Sequence, residues 1–126
     1  MDIEKFKQRM NELPDTIDLP VEEIKRVSGR SLKRLGSTTI GVIAMEEAAE
    51  YSQAVSKKLR GLDNLNSDYN LIEEMADVIL SMFSVMLDYD ISEEEIKKAI
   101  KIKIDRVEKD NDEYFNNEVL KWLLLY

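Results

Sequence analysis

The sequence predicts an all-α fold, a four-helix-type bundle carrying an extra N-terminal helix. Three observations lead there. Four Gly and two Pro in 126 residues supply few of the tight turns that an all-β chain needs. Apolar residues make up 44% of the chain, enough for one packed core. They also recur at spacings of three and four over long stretches, the period of an amphipathic helix.

Five helical segments follow in order. Asp2 to Leu13 reads as a short charged helix stopped by Pro14. Asp18 opens a second, with Pro20 in its first turn and Val21, Ile24, Ser28, Leu32 and Leu35 at helical spacing. Gly36, Ser37, Thr38 and Thr39 form a stop and a fresh cap. The third helix runs from about Thr39 to Arg60 and ends at Gly61. Asp63 to Asn70 reads as a polar turn, and the fourth helix covers about Leu71 to Tyr89. Ser92 and Glu95 make a capping box for the fifth, which is expected to reach about Lys109. A polar stretch, Asn111–Asn117, then precedes the apolar Val119, Leu120 and Trp122 to Tyr126, expected to pack on the bundle or on a second subunit. The organisation expected is one domain over 1–126, with a core at about 38–110, N-terminal helices in 1–36 and a tail at 111–126.

Composition excludes several chemistries. With no His there is no Ser-His-Asp or Cys-His catalysis, no imidazole ligand and no Glu-x-x-His di-iron site. With no Cys there is no thiolate zinc site, disulfide or cysteine nucleophile. No GxxxxGK[ST] or GxGxxG run is present. What remains is carboxylates, Lys and Arg, hydroxyls and an oxygen-loving metal. The net charge of −8 argues against a nucleic-acid polymer as partner. The charged stretch Met1 to Met10 does not read as a signal peptide, and the longest apolar run, Val78 to Leu87, is too short to span a membrane. A soluble, cytoplasmic protein is the expectation.

Charge is segregated. Gly61 to Ile96 holds ten acids and no Lys or Arg, whereas Ile24 to Met45 holds Lys25, Arg26, Arg30, Lys33 and Arg34 and no acid. Such blocks suit sign alternation along a bundle, and equally a site that binds a cation and an anion together.

Two groups of acids stand out. In the third helix the apolar face runs through Ile40, Ile43, Ala44, Ala48, Tyr51, Ala54 and Val55, and Glu47 falls within it. Glu50 lies one turn on, at the edge of that face, while Glu46 points to the polar side with Gln53 and Lys57. The fourth helix is apolar around most of its circumference, which predicts a central helix packed on both flanks. Its single polar stripe is Glu73, Glu74, Asp77, Ser81, Ser84 and Asp88. Solvated acidic faces are one reading of both groups. However, an unpaired carboxylate on an apolar face costs several kcal/mol, and no base relieves the second stripe. A divalent cation answers both problems, and Mg²⁺ favours carboxylates backed by water and phosphate.

Glu46-Glu47-Ala48-Ala49-Glu50, followed after an interval by Glu73-Glu74-Met75-Ala76-Asp77-Val78, resembles the EExxE and EELADV motifs of the MazG-like nucleotide pyrophosphohydrolases of the all-α NTP pyrophosphatase superfamily. The likeness spans roughly Thr38 to Arg106. It implies a dimeric or tetrameric bundle that hydrolyses nucleoside triphosphates to monophosphate and pyrophosphate. It further implies Mg²⁺ held by Glu47, Glu50, Glu74 and Asp77, with Mn²⁺ able to substitute, and a supporting role for Glu46 toward the metal or the attacking water. Phosphoribosyl-ATP and dUTP-directed enzymes share the motif and stay open as alternatives. Candidate phosphate contacts are Lys103 and Arg106, placed on an inward face of the fifth helix with Ile96, Ala99, Ile100 and Val107, and Lys57, Lys58 and Arg60 at the end of the third. Tyr51 could stack on a base, although a core tyrosine is the preferred reading. The competing reading from another class is a non-catalytic interaction module that docks an acidic partner on Lys25–Arg34.

Overall fold

A computed structural model describes residues 2–61 and 67–125, and every described element is a helix. The chain divides into two units, Met1–Asp90 and Ile91–Tyr126, taken here one at a time.

The first unit holds four helices. Helix α1, Ile3–Glu12, begins where the Asp2 carboxylate accepts from the backbone N–H groups of Glu4 and Lys5 at 3.0 and 3.4 Å. It ends before the extended Leu13, as the following Pro14 requires. Helix α2 is Val21–Leu35, so it starts three residues later than the sequence suggested, with Pro20 preceding the first helical residue. Asp18 therefore does not cap it. Gly36 then turns the chain at φ 84°, a left-handed value that glycine adopts without strain.

Helices α3, Ser37–Leu59, and α4, Ser67–Asp88, form an antiparallel hairpin fixed near both ends. Lys58 pairs with Asp68 at 2.7 Å, and the Ser37 hydroxyl donates to the Asp88 carboxylate. Those two bonds set a register in which Glu50 lies level with Glu74, and Glu47 with Asp77. Of the expected turn Asp63–Asn70, residues 62–66 lie outside the described residues, while 67–70 are already helical.

Helix α4 packs against α1, α2 and α3, and is in that sense central. Its orientation departs from expectation. The polar stripe faces its neighbours, with Ser81 buried and Glu73, Glu74, Asp77, Ser84 and Asp88 half-buried. Ser81 is satisfied by donating to the Val78 carbonyl at 2.8 Å. Ile72, Met75, Ile79 and Met82, on the other side, are exposed. Only one flank of α4 is therefore packed within this unit. Its buried apolar residues are Ile24, Ile40 and Ala54, with the buried Ser28 beside them on α2.

The second unit is one helix, α5, Glu93–Leu125. Asp90 stands before it at φ 54°, and Ser92 caps it by accepting from the Glu95 N–H at 3.1 Å, as the capping box predicted. The helix does not stop at Lys109. Residues 111–125 continue it, because no Gly or Pro interrupts them. Ala99, Ile100 and Val107, expected on an inward face, are exposed.

Candidate metal centre

The register of the α3–α4 hairpin carries the site. Glu47, Glu50 and Glu74 each bring one carboxylate oxygen to within 4.8 Å of the other two. Oxygens on opposite sides of one Mg²⁺ ion stand about 4 Å apart, so the three already have nearly the spacing of a shared ion. Glu47 and Glu74 are half-buried, and Glu50 is exposed at the edge, as its position on the helix predicted. The fourth expected ligand, Asp77, is not part of this trio, yet it lies close enough to act electrostatically on both Glu47 and Glu74.

The electrostatics are those of crowded acids. Burial raises the Glu47 carboxyl above its ordinary range, and the charges of Asp77, Glu50 and Glu46 push it further, as does a hydrogen bond with Glu50. Burial likewise raises Glu74, reinforced by Glu50, Asp77, Glu73 and Glu47. Asp77 is raised by burial and then by Glu73 and Glu50. Among the described residues, the charges that act on Glu47 and Glu74 are all acidic. In addition, the Oε2 atoms of Glu47 and Glu74 are sealed from solvent without a hydrogen-bond partner.

A buried, unpartnered carboxylate oxygen is costly, and two of them in one cluster need a cation or a proton. Three hard oxygen donors and no nitrogen or sulfur suit Mg²⁺ or Mn²⁺ rather than zinc or copper. The residues present therefore fit a divalent cation. The cluster is built entirely within the first unit.

The remaining sequence candidates lie outside this trio. Glu46 is exposed, on the polar side of α3. Tyr51 is half-buried, one turn from Glu47. Lys57 is exposed and falls two turns beyond Glu50 on the same side of α3. Lys58 is taken up by Asp68, and Arg60 turns back so that its Nε donates to the Ser56 carbonyl at 3.4 Å. Lys103 and Arg106 are exposed on α5, in the other unit. Glu73 was singled out in the polar stripe and in the second motif but given no role, and its charge acts on both Glu74 and Asp77. Its adjacency to Glu74 and its four-residue spacing from Asp77 were the available signal.

No family model, curated protein or solved structure matches the chain.

Proposed function

We propose that the first unit is a Mg²⁺-dependent nucleoside triphosphate pyrophosphohydrolase with its centre at Glu47, Glu50, Glu74 and Asp77. The observation that carries this reading is the convergence of three carboxylates from two helices, with two sealed oxygens that have no partner. The motif resemblance of α3 and α4 supplies the reaction class. A bound divalent ion would neutralise phosphate charge and acidify a water for in-line attack.

The chain's own groups have separable tasks. Glu47 and Glu74, half-buried on two packed helices, would each bring one carboxylate oxygen to the centre. Glu50, at the exposed edge, keeps one side of the centre open to water and substrate. Lys57 offers an unengaged ammonium on the same side of α3 for a phosphate.

The test is pyrophosphate release over a panel of common and damaged ribo- and deoxynucleoside triphosphates, with and without Mg²⁺. Release that needs the metal and disappears in Glu74→Gln supports the reading. Absence of release across the panel, together with no effect of Mg²⁺ on melting, overturns it.

One observation favours the second reading, an interaction module. Arg26, Arg30 and Arg34 lie four residues apart on the exposed side of α2, and Val27, Arg30, Ser31 and Arg34 line a shallow groove of about 300 Å³. Nucleotide-independent binding of an acidic peptide, lost when these arginines become Gln, identifies that activity.

A further inference from the structure

The segment between α1 and α2 closes a pocket against the start of α4. Among the described helices α1 packs on α4 alone, and its Lys7 ammonium stands 5.3 Å from the centre of the Tyr69 ring. Met10, Asn11, Leu13, Asp15 and Ile17 join Tyr69 around a cavity of about 360 Å³. Small-ligand sites run from roughly 300 to 1,000 Å³. Leu13 and Ile17 are 56% and 64% exposed, so folding leaves apolar area here for a ligand to cover. Lys7 lies over the ring but is not part of the cavity wall, where Asp15 is the one charged residue among those described. The cavity also borders the acid cluster. Tyr69 lies one turn before Glu73 on the same side of α4, and Glu74 stands about 7.5 Å from Tyr69 along the axis.

We propose that this pocket holds the base of a nucleotide and selects bases that carry an amino group, namely cytosine, guanine and adenine, over uracil and thymine. The inference rests on reading the Glu47–Glu74 centre as the triphosphate site, since a ribose then bridges the short interval between the two. The Tyr69 ring and the apolar walls suit a flat heterocycle, but stacking serves every base alike. Discrimination falls to the polar wall. The Asp15 carboxylate accepts and cannot donate, so it takes an N–H from the cytosine 4-amino group or from the adjacent N1–H and 2-amino group of guanine. Uracil and thymine turn a carbonyl oxygen to the same place, which a carboxylate repels. The Asn11 amide donates as well as accepts, so it can complement the ring carbonyl or nitrogen beside that amino group. This choice of base disfavours the dUTP-directed alternative.

The test is a nuclear magnetic resonance titration of the full chain, in chelator, with CMP, UMP, GMP and IMP. CMP and UMP differ at the 4-position, and IMP is GMP without its 2-amino group. CMP should bind roughly 5- to 100-fold tighter than UMP, the discrimination that one well-placed pair of base contacts gives, and GMP should exceed IMP. Asp15→Asn replaces an acceptor by a donor at the same shape and should bring the CMP-to-UMP ratio to about one or reverse it. Tyr69→Leu should weaken all four about tenfold without changing their order, and circular dichroism reports whether that variant keeps its helices. Equal binding of CMP and UMP, a preference that Asp15→Asn leaves unchanged, or no binding of any monophosphate overturns the inference. The titrations need neither metal nor turnover. Pyrophosphate release without base discrimination would therefore overturn the pocket and leave the proposed activity standing, while discrimination without release would support the pocket and overturn the activity.

Discussion

Glu47→Gln keeps the shape of the side chain and removes one charge from the acid cluster. The three oxygens of Glu47, Glu50 and Glu74 lie within 4.8 Å of one another. Two unit charges at that distance repel by about 1 kcal/mol under water-like screening and by about 3.5 kcal/mol at an effective dielectric near 20. Glu50 is exposed, so the lower figure governs, and two neighbours give about 2 kcal/mol. Screening by salt reduces this to about 1–2 kcal/mol. For a unit of this size that corresponds to a melting temperature roughly 5–10 °C higher without metal. Millimolar Mg²⁺ should raise the melting temperature of the unsubstituted protein and have far less effect on the variant, which has lost one of its oxygen ligands. Differential scanning fluorimetry in chelator and then in Mg²⁺ reads both effects. A variant that melts lower than the parent in chelator, or that retains the full Mg²⁺ shift, would refute the reasoning.

Glu50→Gln, Glu74→Gln and Asp77→Asn should each lower pyrophosphate release by roughly 100-fold or more. Glu94→Gln, which loses only an exposed pair with Lys97 at 3.0 Å, should stay within about twofold. Equal activity in all four variants would make the motif a coincidence. In chelator, stability should decline as pH rises, because Glu47, Glu74 and Asp77 bind protons more tightly folded than unfolded. Their contribution is complete below the ordinary values of 4.5 for Glu and 3.8 for Asp, and is lost as pH passes the raised folded values. A chelator-treated protein whose denaturation midpoint rises through that window contradicts this. At the two ends of the α3–α4 hairpin, Ser37→Ala should cost about 1 kcal/mol in urea unfolding, and Lys58→Met about 0.2–1 kcal/mol.

The helices were legible because their signals are local. Pro14, the Gly36–Ser37 junction, Gly61 and the Ser92–Glu95 box each mark an end by a backbone preference that needs no tertiary partner. Where such a signal was missing the reading failed. Nothing in Asn111–Leu125 breaks a helix, so polar Asn and Asp residues, which merely weaken it, were mistaken for a tail. At the start of α4, Asp68 and Asn70 resemble a turn, yet 67–70 are helical, and Lys58 pairs with Asp68 there across the hairpin.

Burial is a different quantity from periodicity, and the site shows why. A stripe of apolar residues says which residues share a face, while the neighbours decide which face is covered. On α3 the two agreed except at Ala48, which is exposed, and Glu47 sits half-buried as its place among Ile43 and Tyr51 required. On α4 they diverged: α2 and α3 cover the side with Glu74, Asp77 and Ser81, and the more apolar side stays open. That inversion is what makes the acids a cluster. Had α4 turned its isoleucines and methionines inward, Glu74 would have faced water and could not have met Glu47 and Glu50. Burying carboxylates while leaving apolar side chains exposed lowers the stability of the metal-free unit, so the arrangement makes physical sense only if something compensates the acids. A proton would do so, and so would the cation proposed above, in which case the orientation of α4 serves the proposed chemistry.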